Sequence, residues 1–243
     1  MGFGQGYQVR IGPRMTQMVK YLIIANGIVF LWLFLAGLVG GGGGIIRIFG
    51  LTPILVVTQL YLWQLVTYLF LHGGFFHVLV NMFFLWMFGS DLESRWGSRP
   101  FLKYYFVTGI GAGILSVLVE PFSPIPTIGA SGAVYGVLLA YGLTYPNRYV
   151  YVYFLVPVRV KYLVAGLALL SFVMTLDSQG STISHIAHLG GMVIGYLYLK
   201  GWLSWMPIKR IYHTWKMKKL RNRFRVYEQK RKKPRNHDDF WIN

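Results

Sequence analysis

Long stretches of this chain carry no Asp, Glu, Lys or Arg at all, and each is near the ~20 residues a helix needs to cross a bilayer. That feature limits the fold more than any other. Six candidate spans follow from it: Tyr21–Val39, Leu65–Gly89, Phe101–Val119, a short one at Ser131–Tyr145, Val160–Leu176 and Ile183–Leu199. Composition points the same way, since 55% of the 243 residues are hydrophobic and 13% are charged, where a soluble domain carries about a quarter charged. Cysteine is absent, which excludes disulfides, thiolate metal sites and a cysteine nucleophile.

The charges that remain sort by loop. Lys and Arg number three before the first span, then one, three, none, three and none in successive loops, and fourteen in the tail. Such alternation is what the positive-inside rule gives for six spans with both ends cytoplasmic. The expected fold is therefore an all-α membrane protein. It has a cytoplasmic leader over 1–20, a six-span membrane domain over 21–200 and a basic cytoplasmic tail over 201–243. No repeat of 20–50 residues is visible, which argues against a transporter built from duplicated halves.

Of the formal net charge of +17, residues 200–243 supply +11, from 14 basic and 3 acidic residues. In the tail, Lys and Arg mix with Tyr212, Trp215, Leu220, Phe224 and Tyr227, the pattern of a basic amphipathic segment lying on an anionic cytoplasmic leaflet. Nucleic-acid binding is the alternative for that segment and is not expected.

Within membrane-depth sequence the conspicuous polar residues are His72, His77, Asn81, Ser131, His185 and His188. Polar and ionisable groups there are costly and mark a site facing the bundle interior. His77 and Asn81 are four apart and share a helical face, as do Ser131 and Tyr135. Gly132 and Gly136, and likewise Gly191 and Gly195 after His188, have the spacing that lets helix backbones approach closely in lipid. A Gly-faced fourth span packed on a Gly-faced sixth would bring Ser131 within reach of His188, and a serine nucleophile needs such a base.

Three prolines in the six residues 121–126 prevent regular helix before Ser131. Irregular chain at membrane depth is tolerated only beside protein or a water-filled cavity. Ser131 is thus expected in the first helical turn, where free N–H groups and the helix dipole favour negative charge. The backbone N–H of Ser131, with His77 and Asn81, would serve a developing oxyanion. All seven acidic residues are expected in loops or the tail, so a dyad is expected rather than a triad, with Tyr135 holding the imidazole by ring packing.

These residues resemble the rhomboid family of intramembrane serine proteases. The resemblance rests on His72-Gly73-Gly74 with His77 and Asn81, on Gly129-Ala130-Ser131-Gly132-Ala133, and on Ala187-His188-Leu189-Gly190-Gly191 with Gly195. It covers residues 18–200. It implies Ser131 as nucleophile, His188 as base, His77 and Asn81 in the oxyanion hole, Tyr135 packed beside the histidine, and His72 as a structural residue of the outer loop. It also implies peptide-bond hydrolysis in or near transmembrane segments of membrane-protein substrates through an acyl-enzyme, without cofactor or metal. Where many members carry Trp-Arg, this chain has Trp63-Gln64, which keeps hydrogen bonding but loses the guanidinium fork.

Other readings stay open at this level. His185 is a competing base, and the four histidines form a conceivable but unexpected metal set, since H-E-x-x-H is missing. A catalytically inactive, client-binding member of the same family is the alternative function. A short six-span form suggests a prokaryotic plasma membrane.

Overall fold

The computed structural model describes residues 12–152, 155–176 and 185–201. The chain divides into two compact units, Met1–Tyr198 and Leu199–Asn243, and nearly all of the second, including the basic tail, lies outside the described residues. The first unit is mostly helical. It runs α1 (Gln17–Leu38), α2 (Gly42–Phe49), α3 (Pro53–Gln59), α4 (Gln64–Thr67) and a 3₁₀ turn (Tyr68–Phe70). Next come α5 (Phe75–Phe84), a π turn (Leu85–Gly89), α6 (Ser90–Trp96), α7 (Ser98–Val119) and α8 (Ser131–Thr144). Strands β1 (Tyr149–Val152) and β2 (Val156–Arg159), α9 (Val160–Leu176) and the part up to Tyr198 of a helix over 185–201, α10, complete it.

Among the described residues, three helices are long and apolar enough to cross a membrane: Gln17–Leu38, the continuous Phe75–Trp96, and Ser98–Val119. At 1.5 Å per residue, 22 residues reach about 33 Å, the thickness of a hydrocarbon core. α1 buries Val19, Leu22 and Leu33 but leaves Ile24, Ile28, Leu31 and Leu35 about half exposed or more. A helix apolar all round is suited to protein on one side and lipid on the other. α8 and α9 are apolar but shorter.

Three expectations need correction. The second span does not start at Leu65. The Gly73-Gly74 pair interrupts the helix, and regular helix resumes only at Phe75 and continues to Trp96. The fold is not purely α either, because β1 and β2 pair antiparallel between α8 and α9, with Tyr149 opposite Arg159 and Val152 opposite Val156. The β-branched and aromatic run YVYV followed by VPVR favours strand over helix. Finally, two acids expected in loops lie in α6, and one of them, Glu93, is buried.

Glu93 has a structural purpose. Its carboxylate accepts the N–H groups of Met18 and Val19, both at 3.0 Å, and the hydroxyls of Thr16 and Ser98, both at 2.5 Å. One acid of α6 thereby satisfies first-turn donors of α1 and fastens the start of α7, in place of a local cap.

The proline-rich segment before α8 is also held by backbone. Leu51 and Thr127 exchange N–H···O bonds of 2.9 and 2.8 Å, and Ile54 N–H donates to Ser123 O at 3.2 Å. Gln64, fully buried, secures the loop behind them. Its amide donates to Arg47 O (2.9 Å) and Ile48 O (3.2 Å), and its oxygen accepts Thr52 N–H (2.9 Å). The glutamine thus uses both ends of its amide to hold this loop.

Glycines set the helix contacts around α8, though not as two matched faces. A Cβ on Gly191 would collide with Gly132 O, so α10 and α8 touch backbone to backbone there. Gly136 faces α7 instead, where a Cβ would meet Thr108 at 2.6 Å, and Tyr104 Oη donates to Gly136 O at 2.8 Å. Gly195 likewise leaves room for the Tyr104 hydroxyl and Thr108. The expected Gly-on-Gly seam is real at one level only, because one turn farther along α7 inserts Tyr104 and Thr108 between the two helices.

Two outcomes follow for stability. Glu93→Ala removes the acceptor of two buried N–H groups and two hydroxyls and should lower stability by about 1–3 kcal/mol, read as a drop in thermal midpoint. Gly191→Ala should cost about 1–3 kcal/mol by overpacking, whereas Gly166→Ala, with open space around it, should be neutral or stabilising in the same thermal assay.

Candidate active site

The site begins with the chain that leads into α8. Gly129 has φ +123°, a conformation L side chains rarely adopt, and its N–H donates to Tyr68 O at 2.9 Å. Space demands glycine as well as conformation does. A Cβ at Gly129 would lie 2.7 Å from His77 Nε2, and 3.8 Å from the Ser131 hydroxyl. The His77 ring and the Ser131 hydroxyl therefore flank the same backbone atom.

Ala130 precedes the helix, and its N–H donates to His72 Nε2 at 3.4 Å. His72 Nδ1 lies 3.3 Å from Phe70 O. An acceptor Nε2 requires the ring proton on Nδ1, where it is donated to that carbonyl, so both contacts agree on one neutral tautomer. His72 is buried and meets His77 edge to face, with ring centroids 4.9 Å apart. The bond to Ala130 orients the peptide one residue before Ser131.

Ser131 is the first residue of α8 and is half-buried. The N–H groups of a first helical turn have no intrahelical acceptor and point along the helix axis beyond its start. His188 projects from α10 so that its Nε2 lies 2.8 Å from Ser131 Oγ. Gly191, one turn after His188, is the point where α10 touches the α8 backbone, so the short side-chain distance follows from the short helix distance.

Tyr135, one turn beyond Ser131, stacks flat on the His188 ring, with centroids 4.2 Å apart and planes 4° from parallel. Offset or parallel stacking of this kind restricts ring rotation. The other edge of His188 faces His185 at 5.8 Å in a T-shaped contact. His188, not His185, is the imidazole hydrogen-bonded to Ser131. Nδ1 of His188 is buried and has no hydrogen-bond partner among the described residues. If Nε2 accepts the serine proton, the ring proton sits on that Nδ1, with no carboxylate among the described residues to receive it.

The remaining pair is unequally placed. His77 is near Ser131 through Gly129, as given above. Asn81 is buried, and its described hydrogen bond goes from Nδ2 to His77 O at 2.8 Å, within its own helix and not to Ser131. An amide has two N–H donors, so one remains after that bond.

One contributor was not singled out in the sequence. The Tyr68 hydroxyl donates to Gly109 O at 2.7 Å, its carbonyl accepts Gly129 N–H, and its ring edge lies against Gly113 and Gly132. This buried side chain links α7 to the start of α8. Its position four residues before His72 was the available signal.

A serine hydroxyl bonded to a neutral imidazole, beside a helix start with free N–H donors, is equipped for nucleophilic attack on a carbonyl. Comparison with known proteins gives the chain its family. The chain is 32% identical over 180 residues to "Rhomboid protease GluP" of Bacillus subtilis, which covers 72% of this chain and 33% of that protein. It is 31% identical over 134 residues to "Rhomboid-like protease 3" of Toxoplasma gondii, covering 55% of this chain and 49% of that one. A further relative, "Rhomboid protein 1, mitochondrial" of Saccharomyces cerevisiae, is 31% identical over 138 residues, 55% of this chain and 39% of that protein.

The chain spans about a third to a half of the length of these relatives. They come from more than one kind of membrane, so kinship does not select the prokaryotic plasma membrane suggested by the sequence. Residues 58–205, more than half of the chain, match the family described as "Rhomboid domain", and they hold Ser131, Tyr135, His77, Asn81 and His188. The chain is a membrane protein of the rhomboid family.

Proposed function

We propose that the chain is an intramembrane serine endopeptidase with Ser131 as nucleophile and His188 as general base. The observation that carries this reading is the 2.8 Å contact between Ser131 Oγ and His188 Nε2. Six crossings with both ends cytoplasmic complete the reading, supported by the loop-charge alternation. The leader over 1–20, the membrane domain over 21–200 and the tail over 201–243, resting on anionic lipid, belong to the same proposal.

In the first half-reaction Ser131 Oγ attacks the scissile carbonyl carbon while its proton passes to His188 Nε2. The tetrahedral oxyanion meets the first-turn N–H groups at Ser131, the His77 imidazole, and the Asn81 N–H left after its bond to His77 O. Collapse of this intermediate returns the proton from His188 to the leaving amine and leaves an acyl-serine. Water then repeats the sequence with His188 again as base, releasing the carboxylate and restoring the hydroxyl. Every proton is accounted for by one imidazole, so no metal or organic cofactor enters. Tyr135 keeps the ring in plane for both transfers, in the place of an orienting acid, which Nδ1 does not meet among the described residues.

The substrates in this reading are other transmembrane segments. A scissile bond must leave helical geometry to present its carbonyl to Ser131, which favours segments with small or helix-breaking residues.

Two measurements test the assignment. Ser131→Ala should lower cleavage of a single-span reporter by purified detergent-solubilised protein by about 10⁴-fold or more, and fluorophosphonate labelling of the wild type should vanish in both Ser131→Ala and His188→Ala. Undiminished cleavage by Ser131→Ala would sink the proposal. Tyr135→Phe should retain activity because the ring face remains, while Tyr135→Leu should lower kcat/KM by about twofold to tenfold, from a stack worth about 0.5–1.5 kcal/mol.

A further inference from the structure

The β1–β2 ribbon stands apart from the proposed chemistry. Among the described residues it has only two strands, and a lone two-stranded hairpin is marginally stable in water. Cross-strand partners share a face, so the register separates two surfaces. One carries Tyr149, Tyr151, Pro157 and Arg159, and the other carries Val150, Val156 and Val158. Among the described residues, Val150 and Val158 are half-buried and the rest of both surfaces is left open. Tyr149, Tyr151 and Val156 are 53%, 60% and 56% exposed, and Leu155 between the strands is 80% exposed.

Cations sit at the base of this apolar ribbon. The Arg159 guanidinium lies 5.6 Å over the Tyr149 ring and donates to its hydroxyl at 3.1 Å. Lys161 Nζ lies 5.0 Å from the centre of the Tyr162 ring, itself 61% exposed. Among the described residues, neither cation meets a carboxylate. The single ion pair among the described residues joins Arg148 to Asp91, where α8 ends. Arg148 and Arg95 both stack over Tyr145 at that same end, so it is rich in positive charge and tyrosine.

We infer that the ribbon is a docking surface for anionic phospholipid headgroups, with the tyrosines at the acyl boundary and Arg159 and Lys161 on the phosphates. Charge complementarity selects the occupant, because the ribbon carries no acid of its own and its cations meet none among the described residues. Backbone chemistry selects the depth. The outer edges of a two-stranded ribbon leave N–H and C=O groups unpaired, which the hydrocarbon core does not tolerate but the hydrated headgroup layer does. Tyrosine is enriched at that level, and Lys and Arg near an anionic surface are attracted to it.

The natural lack of cysteine allows a direct test on the full chain. Nitroxide labels at Tyr151→Cys and, on the opposite face, Val156→Cys are placed in vesicles of phosphatidylcholine alone or with phosphatidylglycerol. Accessibility to oxygen is then compared with accessibility to a water-soluble nickel chelate. In the anionic vesicles both labels should report interface depth. The double variant Arg159→Gln with Lys161→Gln should lose the preference for phosphatidylglycerol, by about fivefold per cation, with helix content by circular dichroism unchanged. Labels open to the chelate in both vesicles overturn the proposal. Equal burial in both lipids overturns the headgroup assignment. Spin–spin broadening that disappears on dilution with unlabelled protein shows that a second copy covers the ribbon and overturns it too.

Discussion

The Ser131–His188 pair depends on the backbone contact between Gly132 and Gly191. Gly191 brings no side chain to this contact, where a Cβ would lie 1.9 Å from the Gly132 carbonyl oxygen, so α8 and α10 meet backbone to backbone. A serine and a histidine then bridge the remaining gap at 2.8 Å. Two helices separated by the usual 8–10 Å with side chains at the contact would not hold them so. Lipid provides no hydrophobic force between helices, so the contact rests on packing and on hydrogen bonds such as those of Tyr68 and Tyr104 to α7 and α8 carbonyls.

That contact has value only because α8 starts where it does. Its 14 residues reach about 21 Å, short of a full crossing, and the extended chain before it supplies the rest. The descent satisfies its backbone through Leu51 and Tyr68, and Gln64 stiffens the loop that provides Leu51. Ser131 is half-buried at this helix start, beside the first-turn N–H groups. At the opposite end, Glu93 does for α1 and α7 what local caps do elsewhere, and its burial is tolerated because four donors meet it.

Much of the site was legible in the chain. Charge-free runs, small residues at helical spacing and histidines in apolar surroundings all follow from local physics, and they singled out Ser131, His188, Tyr135, His77 and Asn81. The partners of the glycines were not legible. Gly132 and Gly136 look alike on a helical wheel, and a Cβ on either would meet α7, at Ala112 and at Thr108, yet only the Gly132 carbonyl touches α10, because three helices meet at that point. Glu93 was misread for a related reason. An acid near a loop is solvated unless donors from distant segments gather on it, and Thr16 and Ser98 lie 77 and 5 positions away.

The sequence by itself determined that this protein belongs in a membrane, that the helix before Ser131 is broken by proline, and which residue types are available for nucleophile and base. Hydropathy, charge and backbone restriction are properties of short segments and need no fold to be read. Only the tertiary structure decided that His188 rather than His185 bonds to Ser131, that Tyr135 lies flat on it, and that Asn81 is bonded to its own helix. These are outcomes of helix rotation and separation. A few tenths of an ångström between backbones settles them, and no local pattern encodes a distance between elements far apart in the chain.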